Sequence, residues 1–393
     1  MPTPDDTSTG DRIKEQRKIA RLTQRQLAVR IPYSYSLLNQ VECGSRPATA
    51  DFVSAVATAL AIDPAILTGP PHVTEMQHGR LAAFVRPIRE ALDLYDLDPD
   101  GRAPARPVDA LALTADRLSQ EVRATHLRAA ARALPDLIAD LTLAAHVRPS
   151  TETWRALASS YRTAHDIALK VGYPDLAVVA LDRMGWAAGR ASDPCLAAIR
   201  QYKRALGHAT SEQDLGRRLI RAGQDLLLDD SSREGLAVAG QLHLGASAVA
   251  ARTGDLAAVA QHIAMARELA GRVGGEAREV HWLSFGHSNI DLHEMGAAIT
   301  LRRYDDALRK ARAMRMPTGA LTSRRARFLV DRAVVEMETG HTEASLRHLV
   351  AARRAAPEQT RYHSRTKETV TGLLHTIRRP SDSLLHMATW IGL

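Results

Sequence analysis

From Val108 onward the chain keeps apolar residues at three- and four-residue spacing with hardly a break, and that period admits one kind of local structure. A 3.6-residue period gathers the apolar positions on one stripe of a helix, whereas a half-buried strand needs a period of two. Composition agrees: aromatics are only 4% of the 393 residues, β-branched runs are scarce, and Ala, Leu and Arg dominate. The expectation is an all-α protein whose 45% apolar residues can bury a substantial core.

The N-terminal part follows the same period in shorter pieces. After a polar stretch, residues 1–10, that reads as disordered, Asp11 or Gly10 opens a helix running to about Arg21. Thr23 stands where an N-cap belongs, and Gln26 three residues on completes a capping-box pattern. Ser34 offers the same cap to the next helix, and Gly44 a left-handed stop beyond it. "DFVSAVATAL" and "DPAILTG" read as two more helices, the first apolar at Phe52, Val53, Val56, Ala57 and Leu60. A helix of about eight residues is unstable alone, so neighbours must hold it. Leu38 and Val41 face inward with Leu27, Ala28 and Ile31, which leaves Tyr35, Ser36, Asn39 and Gln40 outside. Such a helix is built for presentation.

The stretch "LTQRQLAVRIPYSYSLLNQVECGSRPAT" resembles the helix-turn-helix of the lambda-repressor-like family, also called the XRE or Cro/C1 type, and the resemblance covers residues 11–70. It is carried by L-T-Q opening the second helix, Ala28 where the two helices touch, and E-x-G-x-R-P from Glu42 to Pro47. The resemblance implies a five-helix DNA-binding domain with its third helix in the major groove. By position it implies that Gln24 and Arg25 contact phosphate, that Ser34, Tyr35, Ser36, Asn39 and Gln40 present the reading face, and that Ser45 and Arg46 approach the backbone or minor groove. Arg17 and Glu42 match a partly buried ion pair of the family. Pro32 stands where the family's turn has glycine, and proline cannot take the left-handed conformation glycine allows. A five-helix module that no longer binds DNA is the alternative.

Residues 71–107 read as a connecting helix, from about Met76 to Leu97, and a Pro/Gly-rich linker, "DPDGRAPARP". In 108–393 the helices are punctuated at "KVGYPDLA", "RTGDLAAVAQHI", "RRYDDALRKA" and "ETGHTEASLRHL", which resemble the turns of tetratricopeptide (TPR) repeats. Gly340 fits best, with Ala333 before it and Ala352 and Pro357 after it near the family's small and proline positions. Gly254 to Gly340 spans 340 − 254 = 86 residues, not a multiple of about 34, so the expectation is a TPR-like α-solenoid of degenerate repeats with a concave binding groove. Within it "HWLSFGHSNIDLHEM" reads as one helix carrying Trp282, Phe285, Asn289 and His293 on a stripe. That stripe is a candidate ligand site for a peptide or small molecule, or else an inter-helix hydrogen bond in the core.

A net charge of +8 fits a polyanionic partner, yet the excess is mostly C-terminal: residues 11–70 hold eight Lys/Arg against five Asp/Glu, and 301–380 hold eighteen against eight. That excess reads either as a solvated Arg-rich surface or as an anion-facing groove or auxiliary DNA contact. Cys43 and Cys195 are far apart and suggest neither disulfide nor metal site, no cofactor is called for, and the zinc-protease, nucleophile-elbow and phosphate-loop patterns are incomplete or missing. The opening "MPTPDDTSTG" is unlike a secretory signal, and no apolar run is of membrane-spanning length, which points to the cytoplasm. The layout resembles actinobacterial XRE regulators with TPR-like C-terminal domains and, in plan, peptide-sensing regulators of Gram-positive bacteria. It implies a ligand-responsive transcriptional regulator that binds double-stranded DNA, at a pseudo-palindromic operator, as a homodimer. The alternatives are a TPR-type interaction scaffold whose helix-turn-helix module serves recruitment, and an enzyme with an unrecognised site.

Overall fold

A computed structural model describes residues 9–46, 48–60, 62, 66–67, 75–97, 106–207, 213–317 and 319–393. The described residues form twenty α-helices and no strand, apart from one isolated bridge between Ala277 and Phe285. The chain divides into two compact units, Met1–His78 and Gly79–Ile391.

The first unit holds α1 (Thr9–Ile19), α2 (Gln24–Arg30), α3 (Tyr35–Glu42) and α4 (Ala50–Leu60) around Ile13, Leu27, Ile31, Leu38, Val41, Phe52, Val53, Val56, Ala57 and Leu67. The capping box on Thr23 forms with both of its bonds, Ser34 Oγ accepts from Leu37 N–H, and Gly44 is left-handed at φ 73°. Helix α1 starts at Thr9, slightly earlier than expected, and its Gly10 is buried against α3: a Cβ there would lie 2.0 Å from the Val41 carbonyl oxygen. The turn before α3 does without glycine. Ile31 is extended at φ −121°, ψ 151°, the conformation a following proline imposes, and Ser34 is extended too. Tyr33 then packs on Phe52 with ring centroids 5.0 Å apart. Pro32 therefore suits this turn. Residues 1–8, Pro47, most of the expected fifth helix at 63–69, and residues 98–105 of the expected linker lie outside the described residues.

Helix α5 (Glu75–Asp93) ends sooner than expected, and its Val85, Ile88 and Leu92 belong to the core of the second unit. There follow α6 (Val108–Ala124), α7 (Leu127–Val147), α8 (Thr151–Lys170), α9 (Pro174–Ala191), α10 (Pro194–Gly207), α11 (Gln213–Asp225), α12 (Arg233–Arg252) and α13 (Leu256–Val273). After them come α14 (His287–Thr300), α15 (Tyr304–Ala313), α16 (Thr322–Glu338), α17 (Thr342–Ala355), α18 (Pro357–Tyr362), α19 (Ser364–Thr376) and α20 (Asp382–Ile391). Six of their connections are one turn used again and again. A left-handed residue ends the helix at Thr125, Gly172, Ser192, Gly254, Arg302 and Gly340. The next residue then donates its N–H to a carbonyl five positions back, as in His126 to Glu121, Tyr173 to Ala168, Asp193 to Ala188, Asp255 to Ala250, Arg303 to Ala298 and His341 to Glu336. This is a Schellman closure, which satisfies the orphan carbonyls of one helix and aims the chain back for the next. All four punctuated stretches of the sequence fall on such turns.

The groove expected of this array is partly filled. Helix α16 packs on α6 as well as on α17, Lys170 Nζ donates to Gln359, and Trp282 Nε1 donates to Asp116 Oδ1 at 2.7 Å. The expected helix over "HWLSFGHSNIDLHEM" is also corrected. Only His287 onward is helical, and Val280–Trp282 is a single 3-10 turn in an irregular loop. Gly274, Gly275, His281, Trp282, Ser284 and Gly286 all have positive φ in that loop, which no α-helix accommodates. The loop is pinned by the Ala277 N–H to Phe285 carbonyl bond at 2.7 Å and by Phe285, which is buried in a notch left by Gly240. Trp282 and Phe285 therefore do not share a helix stripe with Asn289 and His293.

Candidate nucleic-acid interface and an interior cavity

The short α3 is held from behind by ions. Arg17 Nε and Nη2 donate to Glu42 Oε1 and Oε2 at 2.7 and 2.8 Å, a bidentate fork between α1 and α3 with both side chains almost wholly buried. Arg17 Nη1 reaches the Leu22 carbonyl at 2.9 Å, and Gln24 Nε2 donates to Glu42 Oε2 at 2.8 Å, so α2 is tied to the same carboxylate. Every oxygen of Glu42 thus has a donor, which a buried charge requires.

In front of that anchor Tyr35, Ser36, Asn39 and Gln40 are exposed, as are Arg25, Ser45 and Arg46. Gln24 is half-buried and also donates to Asn39 Oδ1 at 3.3 Å and accepts from the Tyr35 hydroxyl at 3.3 Å. Its amide braces the exposed face rather than hanging free. Ser34 is the N-cap, so its hydroxyl is engaged with backbone. Beyond α3, Ser45 Oγ and Arg46 N–H both turn back to the Gln40 carbonyl, at 3.0 and 3.2 Å. The arrangement offers a small, flat set of amide and hydroxyl groups of the kind that pairs with base edges, flanked by Arg25 and Arg46.

In the second unit the expected ligand stripe comes apart. Asn289 is buried and donates Nδ2 to Gln241 Oε1 at 3.1 Å, and Gln241 Nε2 donates to the Tyr202 hydroxyl at 2.8 Å. Asn289 Oδ1 and Ser284 Oγ are buried without a partner, and both residues line a void of about 20 Å³, room for roughly one water. His293 lines a second cavity, of about 350 Å³, which shares Leu292 and Arg324 with that void and has Tyr202, Arg252, Gly296, Arg327, Asp331 and Arg365 among its other walls. Burial, then Arg324 and Arg327, lower the His293 pKa to about 3, so its ring is neutral.

Spacing alone gave no hint of this cavity, because its arginines come from α12, α16 and α19. Asp331 Oδ2 accepts from Arg327 at 2.6 Å and Oδ1 from Arg365 at 2.5 Å. Arg324 Nη2 donates to the Leu283 carbonyl at 3.0 Å, and burial, more than any neighbour, lowers its pKa to about 10. Close by, Asp166 accepts from Arg123 at 2.6 Å and from Lys203 at 2.5 Å. Burial lowers Lys203 to about 8, the mark of a cation taken out of water without full compensation. In the one candidate metal cluster among the described residues, Asp193, Cys195 and Glu234, both carboxylates are bridged by Arg155. No helix among the described residues is long and apolar enough to cross a membrane.

No curated protein and no solved structure matches the chain. Residues 9–67, the segment that contains α1 to α4, match the family described as "Helix-turn-helix domain". The chain thus carries an N-terminal helix-turn-helix module of DNA-binding type, continued by a long all-helical region.

Proposed function

We propose that this protein is a cytoplasmic, sequence-specific transcriptional regulator of XRE type, non-enzymatic, which binds a pseudo-palindromic operator as a homodimer and whose TPR-like region senses a ligand and dimerises. The observation that carries the reading is the exposed set Tyr35, Ser36, Asn39 and Gln40 on a helix whose opposite side is fixed by the Arg17–Glu42 fork. A reader of base edges needs rigid placement as well as the right groups, because a bidentate contact tolerates little displacement. The repeated Schellman turns support the TPR-like description, as do Ala333 and Ala352, fully buried in the α16/α17 hairpin around Gly340.

Selection of bound duplexes from a random pool by the full-length chain tests it. The expected result is an enriched site with two half-sites about one DNA turn, roughly 34 Å, apart. Asn39→Ala or Gln40→Ala should narrow the gap between selected and random DNA by about 1–3 kcal/mol per lost base contact, while Arg25→Ala weakens both alike and lowers the salt dependence. A pool with no enriched sequence would favour the recruitment scaffold instead.

A further inference from the structure

We infer that the cavity enclosed by α10, α12, α14, α16 and α19 binds a small molecule through an oxyanion, a carboxylate or a phosphate. Its walls carry Arg324, Arg327 and Arg365 against one carboxylate, Asp331, so these four side chains sum to 3 − 1 = +2, while Arg252 also lines the space and donates Nη2 to the Leu206 carbonyl at 3.0 Å. The histidine in the wall adds no charge, being neutral. Asp331 is already shared between Arg327 and Arg365, and it offers nothing to Arg324, whose Nη2 is aimed by a backbone carbonyl. A carbonyl orients a guanidinium but does not cancel its charge. Like charges gathered in a half-buried space repel and lose hydration, and an anion is the partner that reverses both effects.

The shape supports a ligand of metabolite size. At about 350 Å³ the space falls at the small end of ligand pockets, too small for a folded peptide. Leu206, Leu292, Ala248 and Ala297 supply apolar wall, and a Cβ on Gly296 would meet nothing within 4 Å, so that side is open. At the other end the Tyr202 oxygen accepts from Gln241, which leaves its proton to donate. Guanidinium forks match planar carboxylate and tetrahedral phosphate alike, so the shared chemistry is the oxyanion. This names a ligand class for the sensing role proposed above and rests on that reading for its consequence.

The test uses the full-length chain without DNA. Unfolding midpoints are followed against inorganic phosphate, against citrate, and against sodium chloride at matched ionic strength. The expected result is a saturable rise with phosphate or citrate beyond the chloride control, and the tighter of the two identifies the source. Arg324→Gln should weaken the apparent affinity at least about tenfold, the factor expected when a charge-assisted bond is lost. Gly296→Leu, which fills the open side and leaves every charge in place, should abolish the response even if Arg324→Gln fails to fold. The exposed Arg347→Gln should leave it unchanged. A rise no greater than with chloride, or one that Arg324→Gln and Gly296→Leu do not alter, overturns the site. Saturable binding with unaltered operator affinity upholds the site and removes the sensing role, whereas operator selection without oxyanion binding overturns the site alone.

Discussion

Replacing Arg17 with methionine probes how α3 is held. The substitution keeps most of the apolar stem but removes the donors at 2.7 and 2.8 Å from Glu42 and the bond to the Leu22 carbonyl. Glu42, 3% exposed, keeps the Gln24 Nε2 bond to its carboxylate. Breaking a buried pair in this way costs about 3–5 kcal/mol. The double variant Arg17→Met/Glu42→Met removes both charges and should lose far less than the two singles added together. Amide exchange of the α1 and α3 peptides in the full chain, corrected for intrinsic rates, reads this unit's own opening. Strict additivity would refute the buried-pair argument.

Other variants probe separate contacts. Gly10→Ala forces a methyl group to within 2.0 Å of the Val41 carbonyl, so α1 must shift, and a loss of about 1–3 kcal/mol should appear in the same exchange measurement. The buried His165 has its pKa lowered to about 4, first by burial and then by Lys203, so the unfolded chain binds its proton first as pH falls below about 6.5. Stability from this group should drop by about 2 kcal/mol between pH 6.5 and 5, and His165→Gln should flatten that acid limb of an unfolding-versus-pH curve. Asn289→Ala strands the Gln241 amide, and it should lower the unfolding free energy by about 1–3 kcal/mol while leaving oxyanion binding intact. Loss of binding with unchanged stability would restore Asn289 to the ligand site.

What could be read from the sequence was what is local. Caps at Thr23 and Ser34 and the inward pair Leu38 and Val41 lie within a few residues of one another, and each forms as its spacing implies. Turns closed by Gly172, Gly254 and Gly340 were also legible, since glycine advertises a left-handed residue. The same turn at Thr125 and Ser192 carried no such mark, and its geometry is set by the helices it joins. The irregular loop misled for a related reason. Trp282, Phe285 and Asn289 fall at helical spacing, yet each meets a different neighbour, and Gly274, Gly275 and Gly286 bracket the stretch where the helix fails.

The arginine cavity shows the limit of that kind of reading. Periodicity says which side of its own helix a residue occupies, and Arg324 and Arg327 are indeed neighbours on α16. It says nothing of which other helix supplies the next wall, because Arg252 and Arg365 arrive through hairpins whose tilt depends on the packing of the entire array. The charge count did register the result: residues 301–380 carry eighteen basic against eight acidic side chains, and three of the cavity's arginines are among them. A solvated surface and an anion-facing space give the same count. What separates them is burial with too few carboxylates, which the chain achieves by sharing Asp331 between two arginines and leaving Arg324 to a carbonyl. Burial lowers the pKa of Arg324 for that reason, and a bound anion would offset the desolvation of such a cation.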